Sequence, residues 1–229
     1  MSGSVSWERF EAAAAGYEAW YATARGRRVD EAERGLLAWL LAPFPGIRSV
    51  LDVGCGTGHF AAWLRHRALD VVGMDRSPAM LAELRSRHPG IPVVVGDAGD
   101  LPLRSSAVDI AVLVTAIEFV QRPDVALSEA VRVARQGIVV VVLNRWSLGG
   151  LSRRFGPQAR RPLLGSARDA SLPALRRMVR AAAGERVRSL RWASSLFPDG
   201  LWAARSPVPL GDVIGMAAVL SPPDRLRRP

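Results

Sequence analysis

The chain contains no lysine, and all 31 of its basic residues are arginine. It has one cysteine, Cys55, two tyrosines, Tyr17 and Tyr21, and three histidines, His59, His66 and His88. A lone cysteine excludes an internal disulfide and a cysteine-based zinc cluster. Three histidines so far apart offer no ligand spacing, so no metal is expected. The longest aliphatic run, Ile138 to Leu143, falls far short of the roughly 20 residues needed to cross a bilayer. The opening residues lack a basic start followed by an apolar stretch. No secretory leader is therefore expected, and the sequence reads as a soluble, cytoplasmic protein.

What is present suits one α/β domain with additions. The 229 residues are 49% hydrophobic, enough for a sizeable core and against wholesale disorder. The net charge of +10 is unevenly placed. Residues 1–143 hold 15 arginines against 16 acidic residues, whereas residues 144–229 hold 16 against five, an excess of +11. A GC-rich codon bias accounts for arginine in place of lysine but not for where the arginines sit. Such asymmetry attracts an acidic partner, such as an anionic metabolite, nucleic acid or a membrane surface; a merely solvated arginine face is the competing reading.

Apolar periodicity organises the rest. Residues 6–24 read as a helix carrying Tyr17, Trp20 and Tyr21. A second helix is expected over 31–41, with Asp30 as N-cap and Glu33 as its capping-box partner. Short apolar strands are expected at 49–53, 69–74, 91–95, 108–114 and 138–143. Helices between them end near Arg67, Arg87 and Arg135, the last capped by Gly137. Near-continuous apolar strands alternating with helices indicate a parallel sheet covered on both faces. After residue 143 come a Gly-, Ser- and Arg-rich stretch to 171, a helix over 172–183, and two last strands at 186–197 and 212–221. The expected helix buries Leu172, Leu175, Met178, Val179 and Ala182 and turns Arg176, Arg177 and Arg180 outward.

The densest chemical signal is Val50-Leu51-Asp52-Val53-Gly54-Cys55-Gly56-Thr57-Gly58, which leaves a strand and opens a helix. Glycines let a ligand approach the backbone, and exposed N–H groups at a helix start favour anionic atoms. Asp52, at the strand end, can accept from an ammonium group, so one turn could hold both ends of an amino-acid zwitterion.

This run resembles the first motif of the class I S-adenosylmethionine-dependent methyltransferases, of the small-molecule type with a methyltransferase-11-like domain. The resemblance continues with Asp75 in Val72-Gly73-Met74-Asp75-Arg76-Ser77, Asp97 in Gly96-Asp97-Ala98, Gly99-Asp100-Leu101-Pro102-Leu103, Val108-Asp109, and Glu129-Ala130-Val131-Arg132-Val133. It covers residues 47–143. It implies a Rossmann-like doubly wound sheet of seven strands in the order 3-2-1-4-5-7-6, with strand seven antiparallel. An N-terminal helical cap (1–46) would precede the core, and a basic substrate-cap insertion (144–171) and the closing helix and strands (172–229) would follow it. S-adenosylmethionine is the implied cofactor. Its expected contacts are Asp52, Gly54, Cys55, Gly56 and Gly58 in the turn; Asp75 for the ribose hydroxyls; Asp97 for the adenine amine; and Arg76, Met80, Ala98, Thr115, Tyr17 and Tyr21.

A rival reading exists, because Gly56-Thr57-Gly58-His59-Phe60-Ala61 also fits Gly-x-Gly-x-x-Ala, with Asp75 placed for an NAD ribose. Asp52 and Asp97 favour the methyl donor, since the NAD pattern demands neither. Cys55 reads as a small buried filler. Glu118, after the fourth strand, is the candidate general base, although a helix-end carboxylate fits it as well. His59 is a candidate contact, and His66 and His88 read as solvated. Trp20, Arg145, Arg153 and Arg154 are the candidate acceptor residues, the arginines suiting a carboxylate or phosphate. Transfer to a small, anionic acceptor is the expected activity. An RNA methyltransferase using the basic C-terminal part and a non-catalytic S-adenosylmethionine-binding protein are the alternatives.

Overall fold

The computed structural model describes residues 7–155, 167–196 and 205–222, except for the side chains of 152–155. Its strands form where branched aliphatic residues cluster. β1 (Ser49–Val53), β2 (Asp70–Asp75), β3 (Val93–Val95), β4 (Val108–Val114) and β5 (Ala134–Leu143) are joined by parallel pairings. β6 (Val187–Ser195) and β7 (Val213–Leu220) complete one seven-stranded sheet in the order β3-β2-β1-β4-β5-β7-β6. β7 runs antiparallel to both neighbours. The expected order and the reversed seventh strand are thus both observed. Every residue of β4 is buried, as befits the centre of a sheet covered on both faces.

Helices fill those faces. On one side, α2 (Ala24–Leu41), α3 (His59–His66) and α4 (Pro78–Arg87) contribute Leu36, Leu37, Leu40, Phe60, Leu64, Leu81 and Leu84 to a common core. On the other, α5 (Pro123–Val133) and α7 (Leu172–Ala183) bury Leu127, Val131, Leu175 and Val179. The face expected for α7 is observed, with Arg176, Arg177 and Arg180 exposed. α6 (Leu148–Phe155) follows β5.

Three local expectations are corrected. The first helix does not run through 6–24. α1 covers Glu8–Tyr17, a single 3-10 turn covers Glu18–Trp20, and α2 starts at Ala24. Thr23 is the N-cap, its Oγ1 accepting from the Gly26 N–H at 2.9 Å. Asp30 and Glu33 therefore lie inside α2, not at its start, and Glu33 is buried. Alanine and arginine near 24–28 carry enough helix propensity to extend the helix backward past the aspartate. Gly137 caps nothing, because α5 ends at Val133 and Ala134 is already extended. Gly137 sits within β5, where a Cβ would strike the Phe44 ring and the Ala218 carbonyl.

The order of strands reverses between β1 and β4, and connections leave that point in opposite directions. A crevice opens there at the carboxyl ends of the strands. At the opposite edge, Asp109 fixes β4 to β1. It accepts from the backbone of Arg48 (2.8 Å) and Ser49 (2.9 Å) and from Arg135 (2.8 Å). Burial opposes its charge, yet these donors hold the carboxyl well below the usual range.

Candidate functional site

The crevice is a cavity of about 640 Å³. Its floor is the turn after β1. Gly54, Gly56 and Gly58 all have positive φ (74°, 54° and 87°), which side chains with a Cβ rarely adopt. A Cβ on Gly54 would lie 2.6 Å from that of Ala116, and one on Gly58 would strike Leu84. Cys55 packs in the turn, and burial pushes its thiol well above the ordinary range, so it is inert as a nucleophile.

Carboxylates surround this backbone. Asp52, at the end of β1, is 2% exposed, and its Oδ2 has no hydrogen-bond partner among the described residues. Burial, then the charge of Asp75, pushes its carboxyl up to about 7. Asp75, ending β2, accepts from Gly56 N (2.8 Å) and Ser77 N (2.9 Å). Burial raises Asp75 despite those donors. Asp97, after β3, accepts from Gly99 N at 2.8 Å and meets Arg76 at 3.2 Å on the rim. All three expected carboxylates therefore line one cavity, together with Gly54, Cys55, Gly56, Arg76, Met80, Ala98, Thr115, Tyr17 and Tyr21. Gly58 lies one residue beyond, as the N-cap of α3.

The roof is the cap. Trp7, Glu8, Phe10, Tyr17 and Tyr21 reach over the cavity, and Phe119 meets Phe10 edge-on at 4.8 Å between centroids. Both tyrosines of the chain are thus on the wall. Burial, then neighbouring carboxylates, pushes Tyr17 up to about 12. Three acidic side chains of the cap fasten it to the turn after β1 and to the starts of α3 and α4. Glu11 accepts from Ser77 Oγ and from Ala79 N (3.3 Å) at the start of α4. Glu18 accepts from Thr57 Oγ1 and lies 3.3 Å from His59 Nδ1. Asp30 lies 2.6 Å from His59 Nε2 and 2.6 Å from Arg34. Tyr21 stacks on the same imidazole at 3.6 Å. Sequence reasoning missed Glu11, Glu18 and Thr57, because a contact between residues some forty to seventy apart leaves no periodic trace.

Burial works against a charge on His59, but its two carboxylate partners raise its pKa overall, so the imidazolium is the latched form. The stability it supplies is complete below the ordinary histidine value and is lost as pH rises through the raised one. Replacing His59 with alanine should speed hydrogen exchange of the Tyr21, Ala22 and Thr23 amides, which close the 3-10 turn, by about tenfold at neutral pH. The difference from wild type should shrink at alkaline pH. Equal exchange in both proteins at neutral pH would mean that the latch contributes nothing.

Other expected residues are not brought to the wall. Glu118 is buried behind it. Its Oε1 accepts from Leu143 N at 2.6 Å, and its carbonyl from Arg168 N at 3.1 Å. The carboxylate ties the turn after β4 to the end of β5, which the compact turn Ile117–Phe119 imposes by folding it inward. Trp20 is 42% exposed and does not line the cavity. Arg145 is exposed beside Trp146 and away from the wall. The side chains of Arg153 and Arg154 lie outside the described residues. Among the described residues, Arg76 and Arg122 are the cavity's arginines, against Glu8, Asp52, Asp75, Asp97 and Asp100. Among the described residues no group of three or more His, Cys, Asp or Glu side chains could hold a metal, and no helix is long and apolar enough to cross a membrane.

Residues 51–142 match the methyltransferase-domain family. A malonyl-[acyl-carrier protein] O-methyltransferase of Pectobacterium atrosepticum is 40% identical over 108 residues, covering 46% of this chain and 43% of that one. A demethylmenaquinone methyltransferase of Renibacterium salmoninarum is 36% identical over 109 residues, covering 48% and 46%. The chain spans a little under half the length of these curated relatives. The crystal structure of a Thermotoga maritima S-adenosylmethionine-dependent methyltransferase, described as a possible histamine N-methyltransferase, superposes with a TM-score of 0.78. It is 27% identical, covering 94% of this chain and all of that one.

The residues present also fit the cofactor on physical grounds. Asp52 carries a buried oxygen in want of a donor, the glycine turn leaves room where Cβ atoms would stand, and two carboxylates lie farther along the same cavity. The matched core, the strand order and this cavity agree: residues 51–142 are a methyltransferase domain, and the chain has the fold of the class I S-adenosylmethionine-dependent methyltransferases.

Proposed function

We propose that the chain transfers the methyl group of S-adenosylmethionine to a small molecule that enters beneath the aromatic cap. The observation that supports this is the cavity itself. At about 640 Å³ it has the size of a small-ligand site, and it continues from the glycine turn to the roof formed by Phe10, Tyr17, Tyr21 and Phe119. Asp52 would take the ammonium end of the cofactor, Asp75 the ribose and Asp97 the adenine amine. Bound there, the cofactor supplies a methyl group already activated by its sulfonium. The protein's part is to orient the acceptor, exclude water and neutralise positive charge. Such positioning can account for roughly 7–11 kcal/mol in ideal cases.

Once Asp52, Asp75 and Asp97 are given to the cofactor, the described wall holds Glu8 and Asp100 against Arg76 and Arg122, so its charge does not single out the anionic acceptor expected from the sequence. An amine, or a neutral acceptor with an aromatic surface, suits Tyr17, Tyr21 and Phe119 better. Cap and cavity depth favour a small molecule over a base within folded RNA. This reading places the chain in the cytoplasm, where Cys55 stays reduced.

The test is transfer of labelled methyl from S-adenosylmethionine to amines, phenols and quinols, with total RNA and malonyl-acyl-carrier protein in parallel. Calorimetry first establishes that the cofactor binds. Label in the small-molecule fraction supports the proposal. Label confined to RNA or carrier protein, or none although cofactor binds, overturns it.

A further inference from the structure

Eight large apolar side chains are exposed among the described residues, and five of them share one place. Trp146 (59% exposed), Leu148 (67%) and Leu151 lie at the start of α6, and Val208 and Leu210 lie on the segment leading into β7. The two segments are fastened together. Asn144 Nδ2 donates to Pro209 O (3.0 Å) and Gly211 O (2.8 Å), and Gly149 N donates to Asp212 Oδ1 (2.9 Å). Ser194 Oγ donates to Val208 O. Gly149 and Gly150 have no room for a Cβ, against the Asp212 carboxylate and the Asn144 and Arg145 carbonyls respectively. The apolar side chains are therefore displayed by a braced surface.

Charge follows a matching pattern. Arg145 and Arg205 are exposed on the same two segments. Their one acidic residue, Asp212, has an oxygen engaged by Gly149. In the sequence, residues 144–168 carry six arginines and no aspartate or glutamate. Leu148 and Leu151, three apart on α6, share one side of the helix.

We infer that this surface docks on an anionic lipid bilayer. Trp and Leu side chains bordered by guanidinium groups match the boundary between acyl chains and anionic headgroups. Nucleic acid would satisfy the arginines but leave four aliphatic side chains in water. The surface lies at the carboxyl edge of the sheet that also bears the cavity. Arg168, on the chain between α6 and α7, donates to the Gln121 carbonyl (3.3 Å), and Gln121 lines the cavity. Docking this way would present the acceptor side of the cavity to the bilayer. The inference stands on the surface alone and does not require methyl transfer.

The experiment is co-sedimentation of the full chain with vesicles of phosphatidylcholine alone, or with about a third phosphatidylglycerol, at low and high salt. Partition onto the anionic vesicles should exceed that onto neutral ones by about tenfold or more and should fall with salt. L148S/L151S and R145E/R205E should each lower it, the latter by at least about fivefold per arginine. Unchanged calorimetric binding of S-adenosylmethionine shows that the variants remain folded. The inference is overturned if wild type stays in the supernatant with anionic vesicles at low salt. It is also overturned if the folded variants sediment like wild type, or if the surface proves to pair two copies in solution without lipid.

Discussion

Asp52→Asn should weaken S-adenosylmethionine binding by about 10- to 150-fold, the range for a hydrogen bond to a charged group lost from a buried site. The carboxyl stands at about 7 in the free protein because burial, and then Asp75, disfavour its charge. It accepts from an ammonium group only when ionised, so wild-type affinity should rise between about pH 6 and 8 and level off above. The variant should lack that rise, because an amide does not titrate. Calorimetry over this range checks both statements. An asparagine variant that binds as tightly as wild type at pH 8 would remove Asp52 from the cofactor site.

Glu33→Gln should stabilise the ligand-free protein at alkaline pH. Burial, followed by the charge of Asp30, pushes the Glu33 carboxyl up to about 8. For a group raised in the folded state, the favourable contribution is complete below the unfolded value and is lost as pH rises through the folded one. Ionising it inside the protein then costs up to about 4–5 kcal/mol, at about 1.4 kcal/mol per pH unit. The variant's melting temperature should exceed that of wild type by about 10 °C near pH 9. The two should converge near pH 5, and scanning calorimetry at both pH values reads the difference. A variant equally stabilised, or destabilised, at both would show that Glu33 does not ionise in the fold.

The central strands were legible because a buried parallel sheet writes itself as aliphatic runs, as Ile110–Val114 and Ile138–Leu143 do; their order was legible only through the resemblance to the methyltransferase family. The carboxylates expected at the cofactor were legible through the same resemblance, because Asp52, Asp75 and Asp97 stand at or just past the carboxyl ends of β1, β2 and β3. The cap was not. Asp30 and Glu33 have the composition of a helix start and sit in the middle of α2, because the preceding alanine and arginine residues extend the helix. Glu118 has the position of an acceptor-facing carboxylate, yet the tight turn at 117–119 directs it toward the backbone of Leu143. Arg145 has the charge for an acceptor, but the chain after β5 carries it outward. Side-chain direction in irregular segments depends on tertiary contacts that local pattern does not encode.

The helix α2 has two attachments. Leu36, Leu37 and Leu40 cover the sheet, and one turn and a half earlier Asp30 grips the imidazole that closes the cap. The helix that covers the sheet is thus also the one that holds the imidazole on which the cap rests. A ligand that favours the closed cap favours the covered sheet as well, and so acts on the folding equilibrium of the whole chain by mass action. Concentration of the methyl donor would then set how much of the protein survives heat or proteolysis, and metabolic supply would be written into the protein's lifetime.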